Sequence, residues 1–262
     1  MIIRITAVLA VLFLILSAGC ISTDTSMEKA AEKTVANIAE ELEIMGNEMH
    51  KAGDAVLAAD GEANAAEAAL KELYENTDYS ISILCANGDE ICIAGYPEFI
   101  QSSVGNDLTS YGTGEAFYKG RDIVLKEYQL LEGDFYSSIL SIPLYKDGKF
   151  AGFISDALDI AKLVKEIEAE LQEEFGYSLW IAEPSGMQIY DSDVEEVGLN
   201  ILEDNLYADP AIHAVCEKIC SEPEGTASYT FVENGVEVTK TACWKTMSFG
   251  GQDWRVGVTT LQ

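Results

Sequence analysis

The sequence predicts an α+β protein in which a long N-terminal helix is followed by two tandem modules, each an antiparallel sheet with flanking helices. Three observations carry this reading: a heptad seam near the N-terminus, strand patterns of period two after it, and the return of the same landmarks in the second half of the chain.

The seam runs through Met27, Ala31, Val35, Ile38, Leu42, Met45, Met49, Ala52, Val56, Ala59, Ala63, Ala66, Leu70 and Leu73, with spacings of three and four. A helix over 27–76 is on the order of 70 Å long, more than one small domain needs, so it lies along two modules or pairs with a second copy. Gly46, Gly53 and Gly61 each weaken it by about 1 kcal/mol relative to alanine and mark where a bend or break falls. His50, beside the seam, reads as a solvated helix-face residue.

From 77 onward the pattern alternates. Tyr79 to Leu84 and Glu90 to Ala94 read as a hairpin around Asn87-Gly88-Asp89, with Ala86 facing Ile91. Tyr177 to Ala182, a turn at Pro184-Ser185-Gly186 and a return through Tyr190 repeat it, and Tyr79 precedes Gly88 by the same interval that separates Tyr177 from Gly186. Each hairpin leads to a Val-Gly pair, Val104-Gly105 and Val197-Gly198. Each copy closes with a second hairpin, at Asp147-Gly148 and at Gly250-Gly251. The modules are therefore 77–160 and 177–262. A connecting helix over 161–176 joins them, its apolar face set by residues 160, 163, 164, 167, 171 and 175.

The N-terminus reads as an export signal. A single Arg4 precedes an apolar stretch from Ile5 to Leu16, too short to span a bilayer, and small residues lead to Cys20. Leu16-Ser17-Ala18-Gly19-Cys20 resembles the lipobox of bacterial and archaeal lipoproteins, with Ser17 where the common pattern has leucine. The resemblance implies a signal peptide over 1–19, lipidation of Cys20 and a short linker over 20–26, which places the chain on the outer face of the cytoplasmic membrane. No second long apolar run follows, so any signal is expected to pass to a separate membrane partner.

Composition excludes several functions. Against 16 Lys and Arg stand 45 Asp and Glu, a formal net charge of -29, which repels phosphate backbones and rules against nucleic acid. The two histidines, His50 and His213, come with no phosphate-binding glycine loop, nucleophile elbow or metalloprotease helix, so neither catalysis nor a cofactor is expected. Of six cysteines, Cys85 and Cys92 flank the first turn symmetrically and suit a cross-strand disulfide; two reduced, buried thiols are the other reading. His213, Cys216 and Cys220 share a helix face, with Cys243 on a later strand. They read as core residues or as one disulfide to Cys243 sooner than as a zinc site.

Tyr177-Ser178-Leu179-Trp180-Ile181, Gly186-Met187-Gln188-Ile189-Tyr190-Asp191, Glu196-Val197-Gly198, Trp244 and Trp254 follow the run usual in the double Cache family of extracellular, PAS-like sensor domains. The chain resembles that family over about residues 27 to 260. The resemblance implies two ligand-binding sensory modules, the first membrane-distal, with pockets between each sheet and its covering helix and loops.

Past the signal peptide the arginines are Arg121 and Arg255. Arg121 follows Phe117-Tyr118 in the cover of the first sheet, where a guanidinium suits a bidentate clamp on a carboxylate. The expected ligand contacts are Tyr118, Arg121, Tyr136 and Asp156. The amino-acid-binding subset of the family carries Trp-Tyr close after its arginine and a later strand aspartate. Here Asp122-Ile123-Val124 follows Arg121, and Asp156 is the rough counterpart of that aspartate. In the second module Trp180, Tyr190, Tyr229 and Trp244 read as aromatic core. The expected function is a lipid-anchored sensor of an amino acid, carboxylate or similar small molecule. The rival is a structural lipoprotein that forms a homodimer through its heptad helix.

Overall fold

A computed structural model describes the backbone of residues 3–59, 62–131, 135–233 and 235–261, and within these the side chains from 25 onward except 63, 233 and 261. The expected signal peptide and the lipidation of Cys20 lie outside the described side chains. Among the described residues, no helix is long and apolar enough to cross a membrane.

The seam is two helices, α1 (Ile3–Ala58) and α2 (Ala63–Glu75), rather than one. Gly61 itself lies outside the described residues. Met27, Ala31, Ile38, Leu42, Met45, Met49, Ala52, Val56, Ala66, Leu70 and Leu73 are all buried, so the seam is covered within the chain itself. Gly53 and Gly46 are not weak points. A Cβ on Gly53 would run into the Leu144 side chain, and one on Gly46 would come 3.1 Å from Ile123, so the glycines give these two side chains room against the helix.

The chain forms two compact units. One comprises 36–167 with 247–254. Its strands are β1 (Ser80–Asn87), β2 (Cys92–Tyr96), β3 (Val124–Leu125), β4 (Gln129–Leu131), β5 (Phe135–Lys146) and β6 (Lys149–Leu158), in the antiparallel order β2-β1-β6-β5-β3, with β4 also on β5. Asn87 closes the first turn, its Oδ1 accepting the N–H of Asp89 and of Ile91 at 3.0 Å each. A short helix, α3 (Thr113–Tyr118), lies in the cover.

The expected pairing of Cys85 with Cys92 does not form. A bulge between Cys85 and Ala86 sets Cys85 opposite Ala94 and Ala86 opposite Cys92, so the two cysteines are not cross-strand partners. Both are buried free thiols, and burial pushes Cys85 up to about 12.

The other unit comprises 1–35, 168–246 and 255–262. The helix α4 (Ile160–Phe175) leads to β7 (Ser178–Ala182), β8 (Gln188–Asp191), α5 (Pro210–Ser221), β9 (Gly225–Glu233), β10 (Val236–Phe249) and β11 (Gln252–Leu261), in the order β8-β7-β11-β10-β9. This repeats the strand order of the first sheet, as the duplication predicts. Asp209 caps α5 by accepting the Ala211 N–H at 2.8 Å, with Pro210 at the first helical position. At its far end Arg255 is buried and donates from Nε to the Ile219 carbonyl at 3.1 Å. Val215, Cys216 and Ile219 pack on Trp180 and Trp244. Cys216, Cys220 and Cys243 carry thiols rather than a disulfide, and among the described residues no His, Cys, Asp or Glu cluster fits a metal ion.

Candidate ligand-binding site

Strand parity divides the first sheet into two faces. On one, Ile83, Cys85, Leu140, Ile142, Ile154 and Asp156 are buried, and Leu144 and Ile154 lie against Gly53 of α1. The other face carries Ser82 and Leu84 of β1, Phe135 and Ile139 of β5, and Phe153, Ser155 and Ala157 of β6, and it floors a cavity of about 730 Å³. The roof comes from short turns: Ile100 and Ser103, then Asn106 through Leu108, Tyr111, Thr113 at the start of α3, and Lys126 through Gln129. Gln252, in the hairpin tip that belongs to this unit, completes it.

The floor is apolar with a hydroxyl spine. Ser141 and Ser155, paired across β5 and β6, share a hydrogen bond at 2.7 Å. At the rim, Asp107 accepts from the Thr109 hydroxyl at 2.7 Å and from its N–H at 2.9 Å, which hold its carboxyl below the usual range and keep it ionised. Lys126 is the cationic lining residue, and its Nζ donates to the Tyr111 carbonyl at 3.0 Å. Apolar walls, scattered hydroxyls and amides, and one charge of each sign suit a small polar organic molecule.

None of the four expected contacts lines this cavity. Tyr118 ends α3 with 64% of its surface exposed, its ring on Phe150 and its hydroxyl 3.3 Å from the Gly88 carbonyl. Arg121 is exposed and lies against Gly251. Tyr136 is 47% exposed and stacks on Tyr128 with ring centroids 5.7 Å apart. Asp156 is fully buried on the helix-facing side, where Ser80 donates to its Oδ2 at 2.5 Å and Oδ1 has no partner. Burial raises its carboxyl well above the usual range, against the Ser80 hydrogen bond.

Tyr136 and Asp156 differ from the cavity lining by parity: each is one residue from a lining residue, Phe135 and Ser155 respectively. Ser82 and Ser155 line the cavity from otherwise apolar strands, but Ser80, bonded to Asp156, and Ser138 lie on the opposite face, so serine positions by themselves do not mark the cavity side. Gln252 carries no signal either, because its place depends on a hairpin from the far end of the chain.

No family model matches the sequence, and no curated protein matches it. Solved structures do. An extracellular ligand binding receptor from Desulfohalobium retbaense superposes with a TM-score of 0.68 at 18% identity over 89% of this chain, which spans 40% of that receptor. The ligand-binding domain of the Pseudomonas fluorescens chemoreceptor CtaA, in complex with L-isoleucine, gives 0.66 at 15% identity over 94% of this chain and 95% of that one. The chain has the double Cache fold. The ligand-binding domain of the Pseudomonas aeruginosa amino-acid chemoreceptor PctB, with L-Gln, matches at 0.60 and 16% identity over 90% and 89% of the two chains. These neighbours are an extracellular ligand binding receptor and the ligand-binding domains of two chemoreceptors, and this chain, a helix followed by two antiparallel sheets with flanking helices, shares their fold.

Proposed function

We propose that the chain is an extracytoplasmic sensor that binds a small polar molecule, an amino acid or similar carboxylate, in the cavity of its first module. The observation that carries the reading is the cavity of about 730 Å³ on the sheet face turned away from α1. Neighbours with this fold bind L-isoleucine and L-Gln, which supports an amino acid or a relative of one. Lys126 would meet a ligand carboxylate, and Asp107 an ammonium. In this reading Cys20 carries a lipid that holds the chain at the outer face of the membrane, and a separate membrane partner reads the occupancy.

A thermal-shift screen of the chain from residue 21 onward against amino acids, carboxylates and amines tests the binding. A ligand at about 100 times its Kd stabilises by about 2.7 kcal/mol. Ala157→Phe, which projects a ring from the floor, is expected to abolish that shift while leaving the melting temperature of the free protein close to its original value. If nothing stabilises the protein, or a ligand acts equally on the Ala157→Phe variant, the site is wrong. Cys20→Ser is expected to release the protein from membranes or leave an unprocessed precursor, and unchanged fractionation and mass would remove the anchor.

A further inference from the structure

The second module encloses a cavity of its own, of about 390 Å³, between its sheet and α5. Its walls are aromatic, with Trp180 from β7, Tyr229 from β9 and the buried Tyr207. One end is acidic. Asp191, at the end of β8, accepts from Gln188 Nε2 at 2.7 Å and from the Asp193 N–H at 2.8 Å, and Glu196 accepts from the Tyr207 hydroxyl at 2.6 Å. These neutral donors fix the carboxylates in place without cancelling their charge.

Among the described residues no cation pairs with that end. Lys240 also lines the cavity, but its Nζ lies over the Phe231 ring, 5.4 Å from the centroid. Asp191, Asp193 and Glu196 make no ion pair with a described residue. Two carboxylates facing one partly desolvated hollow are costly unless something cationic joins them. The cost shows at Asp191, which burial pushes up to about 7 and the Glu196 and Asp193 charges push in the same direction, against its two hydrogen bonds. Aromatic faces around such a hollow attract a cation by their quadrupole, most strongly where it is desolvated. The net charge of -29 raises the local concentration of any cation near the chain.

We propose that this second cavity is a separate binding site for a small organic cation, with the ligand ammonium against Asp191 and Glu196 and the rings of Trp180, Tyr207 and Tyr229 around it. The site stands apart from the one proposed in the first module, and either can fail without the other.

Isothermal titration of the purified chain with ethanolamine, putrescine and choline, and with acetate and glycerol as anionic and neutral controls, tests it. At least one of the three amines is expected to bind saturably below about 10 mM, with neither control competing. Asp191→Asn should weaken that amine by about 10-fold or more, and Glu196→Gln, nearly isosteric and at a half-exposed position, should do so independently. Ala157→Phe in the first module should leave the affinity unchanged. The proposal is overturned if none of the amines binds, if acetate competes, or if binding survives both substitutions. It is equally overturned if binding is lost in Ala157→Phe, which would place the amine in the first cavity.

Discussion

Two sheets with the same strand order carry cavities of about 730 and 390 Å³, and what separates them is the cover. In the first module the roof is 3-10 turns and the six residues of α3, too short to press an apolar stripe onto the sheet. In the second, α5 is 12 residues long, capped by Asp209 and held at its end by Arg255, and it drives Val215, Cys216 and Ile219 onto the tryptophans. A duplicated sheet thus supplies the floor twice, and helix length decides how much room is left above it.

That contrast breaks most visibly at Trp244. Its side chain is fully buried, and its indole N–H donates to the Glu222 carbonyl at 3.0 Å just past α5. Trp244→Ala is expected to cost about 3–5 kcal/mol in denaturant melts. Binding of a first-module ligand should persist wherever the variant is folded. A cost below about 1 kcal/mol would mean that α5 does not depend on the tryptophan.

The two faces of the first sheet sharpen the contrast within one module. Gly53→Val is expected to lose about 1–3 kcal/mol, because the new side chain meets Leu144 in a filled interface. Ala157→Phe, on the cavity face, adds more volume with little effect on stability. Melts of the two variants side by side check the assignment of faces, and equal losses would contradict it.

Much of this was legible in the sequence. The seam, the leading hairpin of each module and the connecting helix follow from periodicity, because burying one face forces period 3.6 in helices and two in strands, and the duplication follows from the recurring landmarks; the strand order does not. The break before α2 was marked by Gly61 only as a place for one. The cavity was hard to read for two reasons. Which face of a strand looks into a hollow is a matter of one residue's parity, and Tyr136 and Asp156 lie on the side away from the cavity. Arginine is scarce in this chain, yet Arg121 is exposed, where a guanidinium is well solvated. The register at Cys85 depended on a bulge, which period-two alternation does not reveal.

Asp156 gives a smaller effect, visible in its dependence on pH. Its folded carboxyl titrates well above the ordinary 3.8 of an unfolded aspartate. Between those two values the folded chain keeps a proton that the unfolded chain has lost, so this group lowers stability progressively as pH rises from about 4 toward the folded value, and not beyond it. An amide in its place binds no such proton. Asp156→Asn is therefore expected to gain stability relative to the parent when the melts are moved from about pH 4 to about pH 7, whatever constant offset the amide introduces. A difference that stays flat, or falls, would mean the carboxyl is ionised in its buried site.

The smallest expected effect belongs to Arg121. A guanidinium clamp on a ligand carboxylate would make Arg121→Ala lose about 10-fold or more in affinity. The structure sets this residue on the outside, exposed and against Gly251, while the cavity's cation is Lys126. Arg121→Ala should therefore change ligand affinity by less than about twofold and stability by no more than about 0.5 kcal/mol. Lys126→Met should weaken an anionic ligand by about 10-fold, because the ammonium is lost from the lining while the aliphatic stem is kept. Titrating the ligand that the thermal screen identifies into both variants separates the two readings of Arg121. A loss at Arg121 with none at Lys126 would show that the ligand sits outside the cavity, near the hairpin tip, and that scarcity in the sequence was the better guide.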